Sequence, residues 1–334
     1  MHIGVDIGGT FTDLVLRENG KTHTYKLPST PGDPSQALLQ GLAYFQSRGF
    51  VAPERITHGS TVATNAILER KGARVAFITT SGFKDLLFIG RQNRPKLYQL
   101  HPQLPPPLVP ENRCFEIPER LDFQGMVLTP LDESAIKEIQ EEIKKDEIDS
   151  IAVCFLYSYL NPQHEQQLKS ILLSEGDLKD WQVSLSSEVL PEFREFERAS
   201  TVALEAYVRP VMSEYISRIE QEIPLQSSLQ IMNSDGGVMS ADRARQQSIR
   251  TVLSGPAAGV IGGFQLAQDA GYDHVITLDM GGTSTDVSLC PGKPLHHTDS
   301  EIDGFPIRKR MLNIATIGAG GGSIARVDPA GGLH

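Results

Sequence analysis

The chain has 334 residues, of which 40% are hydrophobic and 22% are charged, and this length and composition fit a globular protein of about two domains. Its net charge of −10 provides no basic surface for nucleic acid or for an anionic membrane. The three cysteines are scattered, so they form neither a disulfide framework nor the spacing of a metal site, and we expect a reduced, cytoplasmic setting.

Targeting and membrane segments are not predicted. The chain enters a strand at its N-terminus, without the basic and apolar regions of a signal peptide. Its longest apolar run, residues 151–157, is far too short to span a bilayer. We therefore expect neither a membrane nor a nucleic acid among its partners.

The first predicted element is a β-hairpin with a Gly-Gly turn. Strand-like residues 2–5 and 14–16 flank the segment DIGGTFTD at residues 6–13. Adjacent glycines permit the positive φ that a tight turn needs. A hairpin of this composition directs backbone N–H groups and threonine hydroxyls to one point, which suits phosphate oxygens, and its aspartate can hold Mg²⁺ directly or through water.

Between residues 23 and 188 the sequence alternates predicted strands and helices. The strands are predicted at residues 23–27, 55–58, 74–78, 151–157 and 181–185, and the helices at about 34–48, 62–71, 132–147 and from 162 onward. The run 151–157 is apolar throughout, which is typical of a strand buried on both faces of a parallel sheet. The alternation predicts an α/β domain with a parallel or mixed sheet.

The second half repeats the first hairpin. A helical pattern at residues 191–221, in which Pro210 predicts a kink or break, is followed by a short strand and a small-residue helix. The segment DMGGTSTD at residues 279–286 then matches residues 6–13 at six of eight positions, with strand-like flanks on both sides. Two unrelated glycine turns would be the alternative, but the matched flanks favour a duplication.

Two such hairpins that face each other would clamp a nucleoside triphosphate. The Walker pattern of P-loop enzymes is absent, so the phosphate site is of another kind. The predicted phosphate contacts are Gly8, Gly9, Thr10, Thr12, Asp13, Gly281, Gly282, Thr283, Thr285 and Asp286.

A glycine run near the end of the chain, GAGGGS at residues 318–323, nearly matches the dinucleotide-binding pattern. Ser323 replaces the final glycine and no full βαβ unit follows, so the dinucleotide interpretation is weak. Gly320, Gly321 and Gly322 are instead predicted to expose backbone near the nucleotide or substrate, with a flexible turn as the alternative.

Three polar residues are candidates for substrate contacts. His58 follows a strand and precedes a Gly-Ser-Thr turn, so it is either aimed at a ligand or is a capping or core-edge histidine. Arg91 and Arg94 either clamp a carboxylate or acyl phosphate, or pair with acids on the surface. The segment 194–198 places Arg, Glu and Arg on one helix face, which favours structural ion pairing.

The paired hairpins resemble the actin-like ATPase superfamily of sugar kinases, actin and heat-shock chaperones. Five further motifs extend the resemblance to the hydantoinase A/5-oxoprolinase family, which includes N-methylhydantoinase and the acetone carboxylase β subunit. They are HGSTVATNA (58–66), GRQNRP (90–95), REFER (194–198), SGPAAG (254–259) and GAGGGS (318–323). The similarity covers essentially the entire chain and implies an α/β, actin-like (ribonuclease-H-like) ATPase fold with duplicated phosphate-binding hairpins.

The resemblance also implies an activity. Members of the family activate a small carbonyl compound with ATP and Mg²⁺, so we expect phosphorylation of the ring amide oxygen of 5-oxoproline or a hydantoin, followed by hydrolytic ring opening. Carried over by motif, Asp6 and Asp279 would be the catalytic and metal-binding residues that organise Mg²⁺ and the attacking oxygen. The alternative is an activating subunit of an acetone-carboxylase-like enzyme.

The resemblance divides the chain at about residue 188. Residues 1–188 form the N-terminal hydantoinase/oxoprolinase domain, and residues 189–334 begin a second domain. Only 48 residues follow Asp286, whereas a half-domain of this kind needs on the order of 100. We therefore expect the second half to be incomplete and a missing C-terminal half or a B-type partner subunit to complete it. A non-catalytic remnant is a further alternative.

Overall fold

The computed structural model describes residues 1–30, 32–93, 98, 106–174, 178–282 and 284–333. The strands are β1 (His2–Ile7), β2 (Phe11–Glu18), β3 (Lys21–Pro28), β4 (Arg55–Ser60), β5 (Val75–Thr80), β6 (Cys114–Ile117), β7 (Arg120–Leu121), β8 (Val127–Thr129), β9 (Ser150–Cys154), β10 (Val183–Leu185), β11 (Ser228–Met232), β12 (Val238–Ser240), β13 (His274–Met280), β14 (Thr285–Pro291), β15 (His296–Ile302), β16 (Phe305–Leu312) and β17 (Ala315–Ile317). The helices are α1 (Pro34–Ser47), α2 (Val62–Leu68), α3 (Leu86–Ile89), α4 (Glu133–Lys145), α5 (Gln163–Ser174), α6 (Ser186–Val189), α7 (Glu195–Glu222), α8 (Ala241–Gln246) and α9 (Ser254–Asp269).

The first sheet has the strand order β12-β11-β4-β1-β2-β3. Strands β1, β2 and β3 form an antiparallel meander, whereas β4 and β11 run parallel to β1. Ile3, Val5 and Ile7 of β1 are buried because alternate residues of a strand point to the same face. Asp6 lies between them on the opposite face. The carboxyl ends of β1 and β4 therefore meet beside the first hairpin turn.

The second sheet contains four parallel strands in the order β10-β9-β5-β6. All residues of β5 and β9 are buried, as expected for strands covered on both faces. Helices α4 and α5 cover one face with residues such as Ile136 and Leu168. Helix α7 covers the other face, where Phe77 and Ala152 belong to the same core as the first sheet.

Helix α7 joins the two sheets and continues through Pro210, so of the predicted kink or break the break is wrong. Proline cannot donate to the carbonyl four residues earlier, which is that of Ala206. The Ser150 hydroxyl donates to this carbonyl instead, at 2.5 Å. Since α7, β11 and β12 all follow residue 188, the packed core crosses the division between the two sequence units.

The third sheet, β13-β14-β17, lies next to helix α9. Val260 and Phe264 of α9 pack against Cys290, so one face of this sheet is covered. The other face is open, since Ile276 and Leu278 are 66% and 64% exposed. The β15–β16 hairpin, which the sequence patterns did not predict, is inserted between β14 and β17 and packs on α7.

Strands β6 to β8 and helix α3 were also not predicted, because short elements carry too few residues for a periodic pattern. Within the residues described, the structure contains no helix that is both long and apolar enough to cross a membrane.

Candidate functional site

The two repeated segments fold into hairpins with the same geometry. In the first, the Gly8 N–H donates to the Phe11 carbonyl at 3.0 Å, and in the second the Gly281 N–H donates to the Ser284 carbonyl at 2.9 Å. The register places Asp6 opposite Asp13 in the first hairpin and Asp279 opposite Asp286 in the second. Each hairpin therefore presents two carboxylates side by side at the base of a glycine turn.

The duplication extends beyond the repeated residues to a third strand and the loop that follows it. Strand β17 pairs with β14 as β3 pairs with β2. After β3, the Ser29 N–H donates to the Thr10 carbonyl at 2.9 Å. After β17, the N–H groups of Gly321 and Gly322 donate to the carbonyls of Gly281 and Gly282 at 2.9 and 3.0 Å. Each turn is therefore held by the loop after its third strand.

The predicted glycine loop thus lies against the second hairpin. A β-carbon at Gly322 would lie only 3.0 Å from the Gly282 carbonyl oxygen, so a larger residue would push the two segments apart. By contrast, a β-carbon at Gly9 or at Gly282 would have nothing within 4 Å, so the turns themselves leave open space for a ligand.

The two predicted phosphate-binding threonines that follow the turns are buried. The Thr12 hydroxyl is 3.0 Å from the Ser29 hydroxyl, which in turn donates to the Gly8 carbonyl at 2.7 Å. The Thr285 hydroxyl donates to the Ala319 carbonyl at 2.6 Å. These hydroxyls tie each hairpin to the loop after its third strand, which we call the capping loop. Thr10, by contrast, is exposed at the first turn.

Helix α9 connects the two hairpins through its glycines. A β-carbon at Gly255 would lie 3.3 Å from Oδ1 of Asp6, and one at Gly259 would lie 3.8 Å from Oδ2 of Asp279. These glycines are four residues apart and therefore share one helix face. The helix begins on the first sheet, where the Ser254 hydroxyl donates to the Ser60 carbonyl at 3.1 Å. Both carboxylates consequently lie along the same side of α9.

The first hairpin carries more negative than positive charge. Asp6 keeps access to solvent, yet the protein around it, then the negative charges of Asp13 and Asp279, raise its pKa from 3.8 to about 6. Lys26 offsets this effect in part and forms an ion pair with Asp13 at 2.7 Å. A cation at this place would relieve the repulsion between the carboxylates.

A metal site made from protein groups alone is not present in the residues that the structure describes, because no three Asp, Glu, His or Cys side chains converge closely enough. Mg²⁺ commonly takes one or two carboxylates and completes its shell with phosphate oxygens and water. Asp6 and Asp279 fit that mode of binding. A cavity of about 340 Å³ adjoins the first turn and is lined by Gly8, Gly9 and Asn65, among others.

His58 does not face a ligand, which corrects the interpretation of this residue as a substrate contact. It is fully buried, with Nδ1 3.2 Å from the Val5 carbonyl and Nε2 2.6 Å from the Tyr215 hydroxyl. Burial lowers its pKa from 6.5 to about 4. This arrangement matches the alternative of a core-edge histidine that fixes β4 against β1 and α7.

Arg91 is engaged by a protein carboxylate. Its Nε and Nη2 donate to the two oxygens of Glu197 at 2.8 and 2.7 Å, which matches the surface-pair alternative and leaves no free clamp for a substrate. Glu197 therefore pairs with Arg91 rather than within its own helix. Arg94 and Thr283, predicted as a substrate contact and a phosphate contact, lie outside the described residues.

The sequence patterns missed the roles of Ser29 and of the glycines at 255 and 259. Ser29 gave no signal, because it lies in an ordinary loop 16 residues after Asp13. The spacing of Gly255, Gly259 and Gly263, four residues apart, could have indicated a helix face that other backbone approaches closely.

The fold and the site define an α/β protein built on a duplicated Asp-x-Gly-Gly hairpin. Two family profiles match the chain, "Hydantoinase/oxoprolinase N-terminal region" over residues 2–176 and "Hydantoinase/oxoprolinase" over residues 198–334. The chain therefore belongs to the hydantoinase/oxoprolinase family.

Relatives and solved structures agree with this membership. The chain is 35% identical to caprolactamase subunit alpha of Pseudomonas jessenii, covering 100% of this chain and 50% of that protein. It is 35% identical to 5-oxoprolinase 1 of Arabidopsis thaliana, covering 96% of this chain and 28% of that protein. The crystal structure of the ATP-dependent caprolactamase from P. jessenii matches with a TM-score of 0.87 and 34% identity, over 98% of this chain and 49% of that chain. A nucleotide-free acetone carboxylase structure matches with a TM-score of 0.83 and 27% identity, over 100% of this chain and 50% of that chain.

Proposed function

We propose that the chain is part of an ATP-dependent enzyme that opens a cyclic amide such as 5-oxoproline or a hydantoin. The observation that carries the proposal is the pair of matched hairpins, whose Asp6 and Asp279 lie along one side of helix α9. Burial, then the charges of Asp13 and Asp279, raise the pKa of Asp6. Relatives named 5-oxoprolinase and ATP-dependent caprolactamase support the reaction class.

The proposed nucleotide site uses backbone at both turns. Gly9 and Thr10 from the first hairpin, with Gly282 from the second, would offer N–H groups to the phosphates, while the N–H groups of Gly8 and Gly281 close the turns. The capping loop at residues 320–322 lies against the second turn and would add further backbone. The meander of β1 to β3, followed by strands parallel to β1, supports an actin-like fold for this part of the chain.

Within that site Asp6 and Asp279 would hold Mg²⁺ together with ATP, and the metal would neutralise charge on the phosphates. The chain's own contribution is position: fixed strands and the shared helix α9 hold the two carboxylates, so little reorganisation is needed during reaction. Asp13 and Asp286 add negative charge on the neighbouring strands β2 and β14. Hydrogen bonds from Lys26 and Thr316 hold these two carboxylates in place.

The chemistry follows from the weakness of an amide as an electrophile. Transfer of the γ-phosphoryl group of ATP to the amide oxygen breaks the bond to ADP and makes the ring carbon far more reactive. Water then adds to that carbon, and the ring C–N bond breaks to give an amine and an acyl phosphate. A second water cleaves the acyl phosphate into a carboxylate and inorganic phosphate. One ATP and two waters are consumed per ring opened.

Two alternatives remain within the same site. The similarity to the acetone carboxylase structure favours an activating subunit in which the phosphorylated carbonyl compound is carboxylated instead of hydrolysed. A second possibility is a chain that binds a partner without turning over by itself, since the chain spans about half the length of the relatives it matches.

The open face of the third sheet supports a partner requirement. Leu289 and Ile317 are 56% and 54% exposed and Val287 is partly exposed, whereas Ile314 packs against the residues that face helix α9. An apolar surface is formed by Ile276, Leu278, Val287, Leu289 and Ile317, and we propose that further polypeptide covers it, either a C-terminal half or a B-type subunit.

The proposal is tested by measuring ADP formation by the chain, with and without candidate partner polypeptides, in the presence of 5-oxoproline, hydantoins, or ketones with bicarbonate. A cyclic amide should stimulate ADP formation, with one ring opened per ATP. Asp6→Ala and Asp279→Ala should each abolish this activity, whereas Asp273→Ala, in an exposed loop, should not. ADP formation only with a ketone and bicarbonate would replace the hydrolase proposal with the carboxylase alternative.

A further inference from the structure

A second cavity lies at the carboxyl ends of the second sheet, and its lining includes none of the hairpin residues. Strand β5 comes first in the chain; the chain then adds β6 on one side of it and β9 and β10 on the other. Open parallel sheets bind ligands where the connections diverge in this way. The cavity, of about 280 Å³, is formed by the segments that follow β5, β6 and β9 and by the start of α7.

Three arginines line this cavity, which we call the arginine pocket. Each guanidinium lies over an aromatic ring: Arg120 over Phe83 at 5.6 Å, Arg194 over Phe193 at 5.6 Å and Arg198 over Tyr159 at 5.2 Å from the ring centre. Stacking on a ring fixes the plane of a guanidinium while leaving its N–H edge available. The N-terminus of the 28-residue helix α7 adds further positive potential at the same place.

Arg198 is the most unusual of the three because it is 1% exposed and makes no ion pair with any described carboxylate. Its guanidinium donates to the Phe155 carbonyl at 2.6 Å, to the Glu192 carbonyl at 3.2 Å and to Cys154 Sγ at 3.4 Å. These three bonds use three of the five N–H groups of an arginine. Burial opposes the charge of Arg198, but Cys154, Glu165 and Tyr159 outweigh this effect and raise its pKa, so the guanidinium is held charged at the edge of the pocket.

Arg120 is available to a ligand. Its guanidinium makes neither a hydrogen bond nor an ion pair with the part of the chain that the structure describes, and its one recorded contact is with the ring of Phe83. Arg194 lies 3.8 Å from Asp299 and its charge also acts on Glu197, and Glu195 is the one acidic residue in the lining. The pocket therefore carries an excess of positive charge.

The backbone around the pocket is strained and firmly supported. Tyr157 and Arg194 adopt positive φ angles of 59° and 73°, which large side chains rarely do outside functional sites. The buried carboxylate of Glu165 holds the loop after β9, because it accepts bonds from the Phe155 N–H at 3.0 Å and the Ser186 hydroxyl at 2.6 Å. Such support keeps the arginines in place without a ligand.

We propose that the arginine pocket binds a small organic carboxylate, separately from the nucleotide site at the hairpins. The guanidinium edges would bind the carboxylate oxygens, and a short carbon chain would lie between the flanking rings. A cavity of this volume admits a ligand of a few carbon atoms and no nucleotide.

The test is isothermal titration of the 334-residue chain with succinate at constant ionic strength. Succinate should bind saturably, neutral succinamide should not bind, and inorganic phosphate should bind at least tenfold more weakly than succinate. Arg120→Gln should weaken succinate binding at least tenfold, and saturating Mg²⁺-ATP should not compete. Circular dichroism should show the variant folded, since Arg120 supports no described hydrogen bond.

Arg48→Gln is the matched control, because Arg48 also stacks on a ring, that of Tyr44 at 5.2 Å, but lies outside the pocket. It should leave succinate binding unchanged. Equal losses in the Arg48 and Arg120 variants, binding of succinamide as tight as that of succinate, or phosphate binding tighter than succinate would each overturn the proposal. Since the test needs no turnover, its failure is distinguishable from failure of the proposed ATP-dependent reaction.

Discussion

Replacing Asp6 with asparagine should stabilise the folded chain at neutral pH, although Asp6 is central to the proposed nucleotide site. The carboxylate is partly desolvated and faces the negative charges of Asp13 and Asp279, and these effects raise its pKa. Asparagine has nearly the same shape and no charge, so the substitution removes the repulsion while preserving the packing against Gly59 and Gly255. Functional sites often carry such destabilising charges.

The magnitude follows from the pKa. In the folded chain the pKa of Asp6 is about 6, against an ordinary value of 3.8. Between these values the folded chain binds more protons than the unfolded chain, so the free energy of unfolding falls as pH rises, and the whole penalty is present above pH 6. At ~1.4 kcal/mol per pH unit the full shift corresponds to about 3 kcal/mol. Because the side chain keeps access to solvent, screening reduces this value, and we expect about 1 kcal/mol.

The assay is urea denaturation of the wild-type chain and Asp6→Asn at a series of pH values from 4 to 8. The variant should be more stable by about 1 kcal/mol at pH 8, and the difference should vanish near pH 4, where Asp6 is protonated. Asp273→Asn, in an exposed loop, should change stability by less than ~0.5 kcal/mol at every pH. A variant that is less stable than wild type at pH 8, or a difference that does not depend on pH, would refute the reasoning.

Three further predictions concern single residues. The pKa of buried His58 is about 4 in the folded chain, against 6.5 in the unfolded chain, so the unfolded chain binds protons first as the pH falls. The wild type should therefore lose stability, on the order of 3 kcal/mol, as pH falls from 6.5 to 4. His58→Gln should remove this loss. Gly72→Ala should lower the free energy of unfolding by about 1–3 kcal/mol in urea, because a β-carbon there would lie 2.2 Å from the Tyr207 ring. Gly322→Ala should weaken Mg²⁺-ATP binding about tenfold by titration calorimetry, because its β-carbon would meet the Gly282 carbonyl and displace the capping loop from the second turn.

Each glycine substitution has a control in the same chain. A β-carbon at Gly32 or at Gly318 would have nothing within 4 Å. Gly32→Ala should therefore leave stability nearly unchanged, and Gly318→Ala should leave ATP binding unchanged. For His58, the comparison must be between variant and wild type, since the Asp6 and His58 titrations change stability in opposite directions over the same pH range. An acid loss that persists in His58→Gln would assign it to another group.

Helix and strand periodicity identified most of the larger elements of this fold, although the β15–β16 hairpin was missed. The continuous apolar run at residues 151–157 contains β9, which is buried at every position, and the helical pattern at 132–147 contains α4. Short elements such as β7 and α3 were missed, and α7 was expected to kink or break at Pro210. That helix continues because Ser150, distant in sequence, satisfies the carbonyl that the proline leaves free.

By itself, the sequence determined that two Asp-x-Gly-Gly hairpins exist and that they are copies, because turn chemistry and strand flanks are local properties of the chain. Tertiary structure decided what surrounds them. The burial of His58, the pairing of Arg91 with Glu197 and the approach of both aspartates to the glycine face of α9 join residues far apart in sequence. A carboxylate or an arginine looks the same in a sequence whether it meets a ligand or a neighbouring side chain, because only packing determines its partner.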